Sequence, residues 1–136
     1  MEELAALGTV TARSPIIASD PVGPAQRRFA NAAILLDSEF DPPSLLAGLQ
    51  RLEGDFGRRR SGRRWRDRTL DCDIVLWSGG AYAAPDLQIP HPLFRQRRFV
   101  LEPAAAIAPR WRDPVTGLTM RQLMARLDRA RLNRRA

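Results

Sequence analysis

The chain has 136 residues, 44% hydrophobic and 27% charged, a balance that suits one globular domain with a sizeable core. No apolar run approaches the ~20 residues of a membrane span, and the single cysteine, Cys72, excludes an internal disulfide or a multi-cysteine zinc site. All 22 basic residues are arginine and the formal net charge is +7, which points to anionic partners; the absence of lysine excludes a Walker A loop and lysine Schiff-base chemistry.

Residues 2–7 read as a short helix stopped by Gly8. Residues 9–17 are strand-like with an interruption at Pro15, and a loop follows over 19–24. The apolar run 29–39 has the length of a strand. Asp41 is placed as an N-cap, with Pro42-Pro43 at the first helical positions and Leu45, Leu46, Leu49 and Leu52 on one apolar face. Residues 57–68 read as an arginine-crowded loop that runs into a strand over 69–77, ended by Gly79-Gly80. A further loop leads to Ile89-Pro90-His91-Pro92, and a short helix is expected over 99–106. Thr119 and Gln122 have capping-box spacing and open an amphipathic helix carrying Leu123, Met124 and Leu127. The basic tail, 129–136, is expected to fray. Strands and helices mix without regular βα alternation, so the expected class is α+β in a single domain, 1–136.

The chemistry concentrates between Arg64 and Leu76. On an extended strand, residues two apart share a face. Leu70, Cys72, Ile74 and Leu76 would turn to a core, and Asp71 and Asp73 to the other side. Two carboxylates ~6 Å apart repel by roughly 3 kcal/mol at an effective dielectric near 20, so a positive partner is needed to keep both ionised. Magnesium, which takes one or two carboxylates plus substrate phosphates, fits well; nearby arginines fit less well. A bare D-x-D is equally readable as a solvated strand face. Arg58, Arg60, Arg63, Arg64 and Arg68 lie just upstream, and guanidinium forks bind phosphate in bidentate fashion. Alone they would also suit a solvated basic loop. Beside the acid pair they favour phosphate.

Phe29 and Asn31, two apart on a strand, offer a ring and an amide to a small flat ligand, with Phe99 and Trp65 as further aromatic walls. Phenylalanines in such positions are more often simply core residues. Asn31 is less ordinary, because a buried amide needs partners. His91 is the only histidine, and nothing around it in sequence marks a metal ligand.

Arg64-Trp65-x-x-Arg68-Thr69-Leu70-Asp71-x-Asp73-Ile74-Val75-Leu76, followed by Ile89-Pro90-His91-Pro92, Arg97 and Phe99-Val100-Leu101-x-Pro103, resembles the 6-hydroxymethyl-7,8-dihydropterin pyrophosphokinases of folate biosynthesis. Upstream, Pro21-Val22-Gly23-Pro24, Phe29-Ala30-Asn31-Ala32 and Leu52-Glu53-x-x-x-Gly57-Arg58 match in the same order. The resemblance covers the chain from Leu4 to about Leu127. It implies a ferredoxin-like antiparallel sheet with helices packed on it, the family's usual first strand missing here. The implied reaction moves pyrophosphate from ATP to the pterin's hydroxymethyl oxygen and releases AMP. By position, Asp71 and Asp73 would hold two magnesium ions, and Arg58 and Arg68 would clamp the phosphates. Glu53, Arg60, Trp65, His91 and Arg97 would lie at ATP, with Arg60 on a mobile loop. Ser19, Val22, Phe29, Asn31 and Phe99 would surround the pterin. The departures are Arg66-Asp67, where the family commonly has Gly-Pro, and Cys72 in place of a leucine.

The expected partners are therefore small molecules, ATP and the hydroxymethyl pterin, for a cytoplasmic monomer without membrane contact. One alternative is a basic RNA-binding module using the arginine loop with Arg129, Arg131, Arg134 and Arg135. It has the charge, but no aromatic RNP strand, G-x-x-G loop or zinc knuckle, so nucleic acid is disfavoured. A second alternative is an inactive relative that binds the pterin only.

Overall fold

The structure, a computed structural model, describes residues 2–19, 29–60 and 70–135. Their order is a 3₁₀ helix (Glu2–Ala6), β1 (Thr9–Arg13), β2 (Ile17–Ser19), β3 (Phe29–Asn31), β4 (Ile34–Asp37), α1 (Pro42–Arg60), β5 (Tyr82–Ala84), β6 (Leu87–Ile89), a 3₁₀ turn (Phe94–Gln96), α2 (Arg98–Ile107) and α3 (Met120–Arg135). The α+β class holds, with antiparallel ladders β1–β4, β2–β3 and β5–β6.

The two long strand-like runs, 9–17 and 29–39, each break once, and they break opposite each other. Arg13 pairs with Ile34 and Ile17 with Asn31, so 14–16 face 32–33 across the gap. Pro15 has no N–H to give a ladder. Ser14, which is buried, takes over: its N–H donates to the Ala33 carbonyl (2.9 Å), and its Oγ accepts from the Ala33 N–H (2.8 Å). One antiparallel ribbon is thereby divided into β1–β4 and β2–β3, with three residues facing two at the break and the register slipping by one. At its outer end a Cβ on Gly8 would strike the Asp37 carbonyl oxygen, so only glycine lets the chain turn there.

Asp41 caps α1 as expected, its Oδ1 accepting from the Ser44 N–H at 2.9 Å. The helix runs further than the sequence suggested. Gly57 does not stop it, and α1 continues to Arg60, because arginine is a good helix former and this glycine is not used as a left-handed cap. Arg58 and Arg60 therefore belong to the last helical turn, not to a loop. Leu7 and Leu49 are buried together beneath α1, where Gly48 lets the Leu7 side chain approach the helix backbone.

Residues 70–76 correct the strand expected over 69–77. The segment joins no ladder, and only Trp77 forms an isolated bridge, to Gly80. Its burial nonetheless alternates, with Leu70, Cys72 and Ile74 half-buried and Asp71 and Asp73 exposed. The loop expected after Gly80 instead contains the hairpin β5–β6, with Trp77 packed edge-on against Tyr82 at 6.4 Å between ring centroids. The tail expected to fray is helical through Arg135. Among the described residues no helix is long and apolar enough to cross a membrane.

The main core lies among the 3₁₀ turn, α2 and α3. Phe94 and Leu101 are fully buried, with Met120 and Leu123 beside them and Val75, Leu76, Trp111 and Leu127 packed around. α3 is opened by the expected capping box: Thr119 Oγ1 accepts from the Gln122 N–H (3.1 Å), and Gln122 Oε1 accepts from the Thr119 N–H (2.9 Å). Asp113 is the one charged group with no exposure at all among the described residues. Burial pushes its carboxyl up. Hydrogen bonds from Arg95, Thr116 and Val115, together with the guanidinium charge, outweigh burial and bring it down to about 2.

Truncating Phe94 to alanine should cost about 3–5 kcal/mol, read as a lowered urea midpoint, because the ring fills the centre of this core. A carboxyl depressed from 3.8 to about 2 adds stability that is complete above pH 4 and disappears as pH falls through 2. Asp113→Asn should therefore flatten the acid limb of a stability–pH curve over that window. An unchanged acid limb would refute the assignment.

Candidate active site

The acid pair is held from two sides. From α1, Glu53 sends Oε1 to accept the Cys72 N–H at 2.7 Å, between the two aspartates. From the loop after β6, the His91 N–H donates to the Val75 carbonyl at 3.0 Å. These two bonds do part of what a neighbouring strand would do, satisfying backbone groups of 70–76 and keeping the segment extended. Asp71 and Asp73 stay on the exposed side, and among the described residues neither is in an ion pair.

The same carboxylates act on Cys72. Burial raises its thiol first, and the charges of Glu53, Asp73 and Asp71 raise it further, to about 11. A thiol in so negative a setting is a poor nucleophile, which removes cysteine catalysis from consideration. The negative potential that suppresses the thiolate is the potential a cation would meet. Among the described residues no group of three or more His, Cys, Asp or Glu assembles to hold a metal. A cation here would need ligands from the substrate, as magnesium takes from phosphates.

His91 is half-buried and oriented. Its Nδ1 accepts from the Leu93 N–H at 3.3 Å, so the neutral ring carries its proton on Nε2, a donor for an anionic group. Arg97 stands at the junction of the 3₁₀ turn and α2, its N–H donating to the Phe94 carbonyl at 3.4 Å and its guanidinium 5.8 Å from the centroid of the Phe99 ring. Phe99 is 40% exposed on the first turn of α2. α2 packs against β2, β3 and β4, which brings the helix bearing Phe99 to the strand bearing Asn31. In the β2–β3 ladder Ser19 pairs with Phe29 and Ile17 with Asn31, so three of the residues expected at a flat ligand share one small ladder. Among the described residues Asn31 Nδ2 is buried without a hydrogen-bond partner. Such an orphan donor is costly unless a ligand acceptor meets it.

The structure thus brings Glu53, Asp71, Asp73 and His91 together through direct backbone links, and Arg97, Phe99 and Asn31 through α2. Arg58 and Arg60 are placed only by the backbone of α1. Arg68, Trp65 and Val22 lie outside the described residues. Two open grooves lie elsewhere, one lined by Gln122, Arg126 and Arg129 and one by Gln50, Arg51 and Gly54; neither contains a residue expected at ATP or the pterin. The feature that sequence reasoning missed is the Arg95–Asp113 pair next to His91 and Arg97. Eighteen residues separate the partners, and no local pattern announces them.

The described site combines paired exposed carboxylates, a histidine ring donor, an arginine, and an aromatic and an amide side chain on adjoining elements of an α+β scaffold, groups whose chemistry suits a phosphorylated ligand beside a flat ring. Over residues 1–109 the sequence matches the family of 7,8-dihydro-6-hydroxymethylpterin-pyrophosphokinase, and the chain belongs to that family. It is 41% identical over 106 residues to the 2-amino-4-hydroxy-6-hydroxymethyldihydropteridine pyrophosphokinase of Synechocystis, a match covering 78% of this chain and 54% of that one. The enzyme of that name from Pseudomonas aeruginosa is 44% identical over 106 residues (77% of this chain, 65% of that one). The one from Methylorubrum extorquens is 39% identical over 127 residues (92% and 78%). The chain therefore spans between about half and four fifths of these relatives' lengths.

The thiol environment is directly testable. At pH 8 iodoacetamide should alkylate Cys72 in the folded chain about a hundredfold more slowly than in urea, the ratio set by a two-unit rise in thiol pKa. Equal rates would show that the carboxylates do not surround it.

Proposed function

We propose that this chain transfers pyrophosphate from ATP to the hydroxymethyl group of 6-hydroxymethyl-7,8-dihydropterin, giving AMP and the pterin diphosphate. The observation that carries the reading is the exposed Asp71–Asp73 pair on a segment fastened by Glu53 and His91. Family membership supports it, and the relatives' printed names describe this substrate.

Asp71 and Asp73 would hold magnesium, whose bound charge would neutralise the ATP phosphates and lower the barrier to their attack. Two carboxylates with no third protein ligand among the described residues suit an ion completed by substrate oxygens. The remaining roles fall to the protein's own groups. His91 Nε2–H donates to an anionic oxygen of the nucleotide. Arg97, its guanidinium beside the Phe99 ring, gives a fork to the phosphates. Asn31 Nδ2 donates to an acceptor on the pterin edge, and Phe99 offers a face for stacking. Arg58 and Arg68 belong to the phosphates and Arg60 to the nucleotide, a role reached from the end of α1. Catalysis on this reading is orientation of the hydroxymethyl oxygen in line with the β-phosphorus plus charge neutralisation; no covalent enzyme intermediate is needed.

The test is AMP release from ATP, followed by chromatography. It should require both magnesium and the hydroxymethyl pterin, and Asp71→Ala or Asp73→Ala should abolish it while leaving the urea midpoint within about 0.5 kcal/mol of the parent, since both side chains are exposed. Full turnover in either variant would refute the metal assignment. Pterin binding without AMP release by the parent chain would identify a binding-only relative.

A further inference from the structure

The Asp113 carboxylate is more completely engaged than anything else in the described structure. Its Oδ2 accepts from Arg95 Nε and from Thr116 Oγ1 (2.7 Å), and its Oδ1 accepts from Arg95 Nη2 (2.7 Å) and the Val115 N–H (3.0 Å). The loop that carries it is already closed by its own backbone: Asp113 N–H donates to the Leu118 carbonyl, the Gly117 N–H returns to the Asp113 carbonyl, both at 2.8 Å, and Gly117 takes the positive φ of 75° that this return needs. Loop closure therefore does not depend on Arg95. What the two-pronged bond adds is orientation of the opposite partner.

That partner is the 3₁₀ turn. Arg95 lies between His91 and Arg97, and its guanidinium carbon is 4.7 Å from the centroid of the fully buried Phe94 ring. A planar fork against a carboxylate allows one relative orientation, which a point charge would not enforce. The turn is otherwise held to 70–76 at its start by the His91–Val75 hydrogen bond and to α2 at its end by the Val100 and Leu101 N–H groups on the Arg97 carbonyl (3.0 and 2.9 Å). Phe94, fully buried in the core, anchors the middle of the turn, and beside it the fork of Arg95 on Asp113 adds a directional constraint on the same turn. A buried ion pair is weak evidence for stability, since apolar replacements are often neutral, so its value here lies in direction.

We propose that Arg95 and Asp113 are a positioning pair that fixes the His91–Arg97 turn for nucleotide binding, the fork of Arg95 setting the angle at which His91 and Arg97 face the acid pair. The inference rests on the proposed function, and its test separates the two. Arg95→Lys keeps the charge and removes the fork, and Asp113→Asn keeps the size and removes the charge. His91 is the only histidine, so its imidazole proton resonances are unambiguous. In the free protein they should shift in both variants. The dissociation constant of a non-hydrolysable ATP analogue with Mg²⁺, measured by calorimetry, should rise about tenfold, short of the hundredfold that a full ångström of misplacement can cost. KM for ATP should rise in parallel, with kcat and KM for the pterin within about twofold, whereas a merely structural defect would lower the active fraction and hence kcat alone. Unshifted His91 resonances, or unchanged affinity for the analogue, would overturn the positioning role. Failure of the parent chain to bind the analogue would overturn the functional reading, and this inference with it.

Discussion

An extended backbone sends successive side chains to opposite sides, and between Leu70 and Leu76 this constraint determines both halves of the protein. On one side Leu70, Cys72 and Ile74 are half-buried, and beyond them the alternation ends, with both Val75 and Leu76 reaching the cluster around Phe94 and Leu101. On the other, Asp71 and Asp73 are driven to the surface together. Shifting the segment by one residue would bury two carboxylates and expose the leucines, so the hydrophobic side keeps the acid pair in place. The cost is repulsion between neighbouring carboxylates, felt even by Cys72, whose thiol is held near 11. A cation would relieve that repulsion, so on the proposed reading binding and fold depend on the same register.

The segment keeps its extended form without a ladder because its polar backbone is met by other means. Glu53, a side chain on α1, takes the Cys72 N–H, and His91, through its main chain, gives its own N–H to Val75. Both are residues expected at the nucleotide, so on the proposed reading the same groups would serve the ligand and hold the strand-like segment that displays the aspartates. A change at Glu53 would alter both the backbone beside Cys72 and the charge beside the acid pair, and the two effects would not be separable by one substitution.

What could be read in the sequence follows the range of the forces involved. Caps and periodicities act over three or four residues, and Asp41, Thr119 and Gln122 behave as their spacing says. The sharing of a face by Asp71 and Asp73 is a property of extended backbone alone, and it survives although the expected ladder does not form. The errors arise where distant residues decide. Whether 69–77 forms a ladder depends on what lies beside it, not on its own composition. Pro15 was legible as an interruption, but the matching break at Ala33 follows from Ser14, nineteen residues away. Gly57 looked like a stop because glycine often is one, yet a glycine without a left-handed turn leaves a helix of arginines free to continue. In the site, Asn31 stood out as polar within an apolar run, and its orphaned Nδ2 is the structural counterpart of that oddity.

Charge is used here in two physically different ways. The surface pair Arg98–Asp128, with both side chains more than a third exposed, is screened by water and adds little, serving to lace α2 to α3. Arg95–Asp113 is the opposite case: its carboxylate has lost all solvent, every lone pair is met by a donor, and its low pKa shows how strongly the folded state prefers the ionised form. The aspartates at 71 and 73 are a third case, charged and exposed with no guanidinium at hand among the described residues. In a chain with seven more positive than negative charges, a carboxylate pair in no ion pair among the described residues contrasts with Asp113, whose lone pairs are all met by donors. Exposed and two residues apart, such a pair is chemically suited to a small hard cation that takes its remaining ligands from an anionic molecule.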